Sequence, residues 1–151
     1  MIERCLKVEQ CGWLSLRLEL WPSCTPERHA SEMSTFCANP DRYAQFVAYD
    51  GARNPVGFVE VALRNDYVNG TTTSPVAFLE GIYVVPHARR KGLARALVAR
   101  GEQWAVSVGC SEFASDARLE NVASHAMHRC LGFSETERVV YFRKQLHENA
   151  A

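Results

Sequence analysis

The chain has 151 residues, enough for one domain with a substantial core, and 47% hydrophobic against 23% charged residues is the balance of a water-soluble globular protein. Seventeen Lys and Arg offset seventeen Asp and Glu, so no global field draws the chain to nucleic acid or to a membrane surface, and any charged ligand must be met by local clustering. No apolar run approaches the roughly 18 residues of a membrane span, the N-terminus lacks a signal-peptide pattern, and six scattered cysteines without a CxxC pair read as free thiols of a cytoplasmic protein.

In chain order, Ile2 to Val8 alternates apolar and charged residues and predicts a first strand. Trp13 to Trp21 predicts an apolar-rich helix ended by Pro22. Thr25-Pro26-Glu27 then has a hydroxyl cap, a proline at the first position and an acid in the first turn, predicting a helix to about Cys37. Gln45–Tyr49 and Val56–Arg64 read as strands joined through Asp50-Gly51. In the second of these, Val59, Val61 and Leu63 share one face while Phe58, Glu60 and Arg64 share the other. A polar loop, Asn69 to Pro75, leads to a strand at Phe78–Val85, a basic turn, and a long helix from Gly92 to Val108 stopped by Gly109. Glu112–Ser115 predicts a short strand, Asn121–Leu131 a helix closed by Gly132, and Val139–Arg143 a final strand. The order is mixed α/β in a single domain, residues 1–151, with one strand–helix–strand crossover in the second half.

The turn between that strand and the long helix is the first functional signal. Helix starts carry unpaired N–H groups and a positive dipole end, and Gly92 lets a ligand approach the backbone, so the turn suits phosphate. It lacks the Gly-Lys-Ser/Thr ending of a P-loop and the three glycines of GxGxxG. Taken alone it is equally a basic surface turn.

Arg89-Arg90-Lys91-Gly92-Leu93-Ala94 resembles the Gln/Arg-x-x-Gly-x-Gly/Ala signature of the GNAT superfamily of acetyl-CoA-dependent N-acetyltransferases. Asn121-x-x-Ser124-x-x-Met127-His128-x-x-x-Gly132-Phe133 resembles the second GNAT signature, Asn-x-x-Ala-x-x-Leu-Tyr-x-x-x-Gly-Phe. A narrower resemblance, to the bacterial aminoglycoside 6′-N-acetyltransferases, rests on Leu20-Trp21-Pro22, Asp66-Tyr67-Val68-Asn69-Gly70, Ser74-Pro75, Phe78-Leu79-Glu80-Gly81, Ala114-Ser115-Asp116 and Gly132-Phe133-x-Glu135-Thr136-Glu137-Arg138. The resemblance implies a mixed, largely antiparallel twisted sheet, splayed in the middle, with helices on both faces. It implies acetyl-CoA as co-substrate: pyrophosphate on Arg89, Arg90, Lys91, Gly92, Leu93 and Ala94, the pantetheine arm along Gly81, Ile82, Tyr83 and Val84, and Asn121 and His128 on the cofactor side. It also implies a homodimer, with the loop from Asp66 to Pro75 contributing across the interface.

N-acetyl transfer needs a neutral amine, which at a lysine-like pKa of roughly 10.4 costs about 4–5 kcal/mol at pH 7. Glu80 interrupts an apolar strand beside the implied thioester channel and is one candidate base; the bland alternative is a solvent-facing carboxylate. Asp116, where the next strand ends, is the second, against a loop or helix cap. The reading taken is that Glu80 acts through water and Asp116 orients the ammonium, although residue order does not separate the two roles. His128 stands where many superfamily members place a tyrosine general acid, and an imidazole could protonate the thiolate or simply be a satisfied helix-face histidine. Trp21, Tyr67, Glu80, Asp116 and Glu137 match the resembled substrate site and supply the aromatic faces and carboxylates that a polycationic aminoglycoside needs, whereas Trp21 and Tyr67 alone would more often be packing residues. His125 and His128 lack a third ligand at metal spacing, so no metal is expected. A protein or polyamine acceptor, or a non-catalytic acyl-CoA-binding module, are the competing functions.

Overall fold

A computed structural model describes residues 1–147. Five strands lie in chain order across one sheet: β1 (Ile2–Arg4), β2 (Tyr43–Tyr49), β3 (Pro55–Arg64), β4 (Val76–Val84) and β5 (Phe113–Ala114). The first four pair antiparallel as a meander, and β5 joins parallel to β4 after the crossover helix. The helices are α1 (Trp13–Leu20), α2 (Pro26–Ala38), α3 (Leu93–Ser107) and α4 (Val122–Cys130). Among the described residues no helix is long and apolar enough to cross a membrane.

Strand alternation decides which helix covers which face. On one face Leu97 of α3 reaches Gly57, and Gly101 of α3 closes on Val61. On the other, Arg17 of α1 bonds Glu60, and Trp21, just after α1, meets Phe58 edge-on at 5.9 Å. Helices therefore cover both faces, and β2, β3 and the first part of β4, Val76 to Leu79, are mostly buried between them. Full burial of side chains such as Leu97 and Phe58 contributes about 1.5–3 kcal/mol each.

Helix α2 starts as its sequence predicts: Thr25 Oγ1 accepts from the Arg28 amide, with Pro26 in the first turn. Strand β1 is shorter than its alternation suggests, ending at Arg4, and a 3-10 turn at Pro86–Ala88 precedes the basic loop. The largest correction is at Val139–Arg143. No strand forms among the described residues after β5, and Val140, Tyr141 and Phe142 are 75%, 83% and 92% exposed. The sequence has strand alternation there, but no edge of the same chain receives it. The splay lies between β4 and β5, which pair at two positions only.

Candidate active site

The fork in the sheet follows from register. Strands β4 and β5 pair only at Ala77↔Phe113 and Phe78↔Ala114. Beyond that point β4 continues to Val84, paired with β3 on one side and, among the described residues, with no strand on the other. On the β3 side Glu60 pairs with Gly81 and Val61 with Leu79, leaving Glu80 as the extra residue of a β-bulge. Bulges re-aim side chains, and this one turns an acid out of a strand whose preceding residues are buried. Asp116 and Glu80 each lie two residues beyond the last parallel pair, at the same level on the two prongs. Asp116 is exposed.

Glu80 already has a partner. Arg64, at the end of β3, donates from Nε (3.2 Å) and Nη2 (2.8 Å) to Glu80 Oε1 and from Nη2 to Oε2 (3.1 Å), with its guanidinium 3.6 Å above the Phe78 ring. Sequence reasoning placed Arg64 and Glu60 on one face of β3 but assigned them no role. Two charges on an otherwise apolar strand face were the available signal.

Trp21 sits on Gly81, immediately after the bulge. A Cβ at Gly81 would fall 2.5 Å from the indole, so only glycine admits the ring. Behind Trp21 is a buried polar network that the sequence did not disclose. Arg17, 2% exposed, bonds both carboxylate oxygens of Glu60 through Nη1 and Glu32 through Nη2. Its Nε donates to His29 Nδ1 (3.0 Å), so the proton of His29 sits on Nε2, which donates to the Trp21 carbonyl (3.2 Å). Burial pushes the Glu60 carboxyl up to about 7 against the opposing pull of Arg17.

Tyr67 is exposed on the 65–75 loop, whose Val68 packs with Val76, Phe78 and Ala114. Glu112 Oε1 anchors this loop, accepting from the amides of Thr72 (2.9 Å) and Thr73 (2.7 Å) and from the Thr73 hydroxyl. The Thr73 hydroxyl and then the Thr72 amide hold the Glu112 carboxyl below its ordinary 4.5. A depressed carboxyl stabilises above its unfolded value and loses that stabilisation as pH falls through the folded one. Glu112→Gln is therefore expected to melt below the wild type at pH 7, with the gap closing under about pH 4; a gap unchanged at pH 3 would mean that the charge is irrelevant. Thr136 packs against Gly70 of the same loop, which brings the exposed Glu137 to its margin.

At the other end of β4, Arg90 (φ 61°) and Gly92 (φ 81°) are both left-handed, and a Cβ at Gly92 would meet nothing within 4 Å. No side chain caps α3, so its first amides face open space. Arg89, Arg90 and Lys91 are all exposed, and Arg89 Nε donates back to the Val84 carbonyl (2.7 Å). Leu93 and Ala94 form the first turn of α3, and Ile82, Tyr83 and Val84 line the open strand edge, the Tyr83 hydroxyl donating to Glu19 (2.8 Å). Asn121 is the cap of α4, its Oδ1 accepting from the Ser124 amide.

His128 is engaged on both ring nitrogens. Nδ1 donates to the Ser124 carbonyl (2.7 Å), so Nε2 faces the Ser115 hydroxyl at 2.7 Å. A proton from His128 would leave through Ser115, a partner that residue order did not indicate. His125 Nε2 donates to the Arg118 carbonyl (2.9 Å), and the described residues hold no cluster of three or more metal-ligating side chains.

An unpaired strand edge that runs toward an uncapped helix start suits a long ligand with amides along its arm and phosphates at its end. A coenzyme A thioester is a ligand of that kind. The family model for the Acetyltransferase (GNAT) family matches residues 13–133. The chain is 54% identical over 137 residues to an aminoglycoside N(6')-acetyltransferase type 1 of Serratia marcescens, spanning 89% of this chain and 92% of that one, and 46% identical over 149 residues to that of Stenotrophomonas maltophilia, spanning 99% and 95%. Among solved structures it resembles AAC(6')-IG of Acinetobacter haemolyticus, with TM-score 0.90, 47% identity and coverage of 97% and 99%. It also resembles AAC(6')-Iy in complex with the bisubstrate analog CoA-S-monomethyl-acetylneamine, with TM-score 0.91, 39% identity and coverage of 97% and 98%. The chain belongs to the GNAT acetyltransferase family.

Proposed function

We propose that this chain transfers the acetyl group of acetyl-CoA to the 6′-amino group of aminoglycosides, by direct attack in a ternary complex, and so confers resistance to them. The observation that carries the reading is the pair of acids, Glu80 and Asp116, each two residues beyond the last β4–β5 pair at the fork beside the open β4 edge. Acetyl-CoA supplies the activated acyl group. The free edge of β4 along Ile82, Tyr83 and Val84 orients its arm, and the turn of Arg89, Arg90, Lys91, Gly92, Leu93 and Ala94 binds its phosphates, with Asn121 and His128 on the same side. Trp21, Tyr67 and Glu137 surround the acceptor. Asp116 orients the ammonium and Glu80 draws off its proton through water. The Ser115–His128 pair, joined at 2.7 Å, is the route by which a proton returns to sulfur.

The decisive experiment incubates purified protein with acetyl-CoA and aminoglycosides and records CoA release and product mass. No product from any aminoglycoside with a free 6′-amine would sink the reading; product from peptides or polyamines alone would move it to those acceptors.

The enzyme works in the cytoplasm as one catalytic domain, residues 1–151, and as a homodimer. Six unpaired cysteines fit a reducing compartment. The dimer reading is supported by the 139–146 segment, whose exposed Val140, Tyr141, Phe142 and Leu146 need an apolar partner, and by the two-residue β5, which leaves a sheet edge for a second copy's segment to extend. The neighbouring Asp66–Pro75 loop then lies at the interface. Light scattering of the full chain is expected to give twice the monomer mass, and truncation after Arg138 to give the monomer; a full-length monomer at micromolar concentration would refute the dimer.

A further inference from the structure

We propose that Arg64 sets acceptor specificity by occupying, as an internal cation, the place at Glu80 that an acceptor ammonium must take. It thereby favours acceptors with several close ammonium groups over monoamines. This rests on the reading of Glu80 as an acceptor contact.

The guanidinium meets Glu80 through three contacts and is held over Phe78 at 3.6 Å, so its position is built from both sides. The two side chains are nonetheless 42% and 36% exposed, so the pair is weak and exchangeable in water. An ammonium reaching Glu80 makes one exposed ion pair and breaks another. For a monoamine that exchange brings almost no gain. A polycation differs because its further ammonium groups meet carboxylates with no resident cation. Asp66, two residues beyond Arg64, and Asp116, across the fork, make no ion pair among the described residues. Specificity is a difference of affinities, and Arg64 penalises the acceptor that must evict it from Glu80 more than the one whose further ammonium groups meet Asp66 and Asp116. Displacement of Arg64 also uncovers the face of Phe78, a platform on which a sugar ring can lie. A polycation reaching Asp66 and Asp116 can retain affinity even with Arg64 sharing Glu80; a monoamine must evict it.

The test compares kcat/KM for neamine, a polycation, and methyl 6-amino-6-deoxyglucoside, a monoamine, in the wild type, Arg64→Met and Arg64→Lys. Methionine keeps an apolar stem on Phe78 without the charge. The monoamine value is expected to rise about three- to fivefold in Arg64→Met while the neamine value changes less than about twofold, and Arg64→Lys is expected to keep most of the wild-type ratio. In a Glu80→Gln background the effect of Arg64→Met on the ratio should vanish. An unchanged ratio in Arg64→Met, an equal fall for both acceptors, or an effect that survives Glu80→Gln would each overturn the proposal. Acetyl-CoA affinity, read by calorimetry, should stay at the wild-type value and shows that the variants are folded. If the wild type acetylates no aminoglycoside, the proposed function falls first; if it acetylates neamine and the ratio does not move, only the role of Arg64 falls.

Discussion

Glu80→Gln is expected to lower kcat by about 10²–10⁴-fold, the usual contribution of a positioned general base. Glutamine preserves the size of the side chain and its reach from the bulge, but it cannot accept a proton. Acetyl-CoA affinity should be nearly unchanged, because the turn and β4 edge proposed to hold it lie further along the chain, from Ile82 to Ala94. Asp116→Asn probes the other prong. If Asp116 orients the ammonium, its loss should raise acceptor KM as well as lower kcat, whereas Glu80→Gln should act mainly on kcat. Near-wild-type turnover in both variants, measured by CoA release under saturating acetyl-CoA, would remove these carboxylates from the chemistry.

The largest effect on stability is expected at Arg17. Arg17→Met strands Glu60 in the core, opens the His29 hydrogen bond and removes the guanidinium from beneath Trp21, where it lies 4.9 Å from the ring. Breaking a buried pair from one side costs about 3–5 kcal/mol, which for a domain of this length lowers Tm by roughly 10 °C. The loss has a pH signature. Burial already raises the Glu60 carboxyl above its unfolded 4.5, and without Arg17 it rises further. A carboxyl raised on folding binds more protons in the native state, so stability falls as pH increases from 4.5 through the folded value. The variant should therefore be closer to wild type at pH 5 than at pH 8. Arg17→Met combined with Glu60→Leu should regain part of the loss, because it removes the orphaned charge. Thermal melts showing under about 1 kcal/mol of loss at both pH values would refute this account of the network.

Local chemistry made α2 and the β4–turn–α3 passage legible from sequence. Thr25 and Pro26 specify a helix start within one turn of chain, and Gly92 marks a left-handed residue before a periodic apolar stripe. Glu80 stood out because it breaks an apolar run. Its partner did not, because Arg64 reaches it only through the β3–β4 register, which the bulge itself alters. Arg17 reads as one polar position on an apolar helix; its burial depends on a glutamate 43 residues away on a different element. Ser115 and His128 are likewise joined by the docking of α4 and not by local spacing. Val139–Arg143 shows the converse limit. Alternation states that a segment can be a strand, but a strand requires pairing with a neighbouring edge, and among the described residues this segment pairs with none.

The second prong of the fork has a consequence for dynamics. Strands β1 to β4 form a continuous meander of neighbouring pairs, whereas β5 attaches by two residue pairs and the packing of Phe113, and α4 reaches α3 through a hydrogen bond from Arg95 to the Cys130 carbonyl, 2.6 Å. The meander can remain intact while this prong detaches, so the free energy of opening the site is a separate and smaller quantity than the free energy of unfolding. A ligand that bridges the two prongs then acts as a clasp: it ties the most loosely held part of the fold to its most rigid part, and hydrogen exchange there becomes a measure of occupancy.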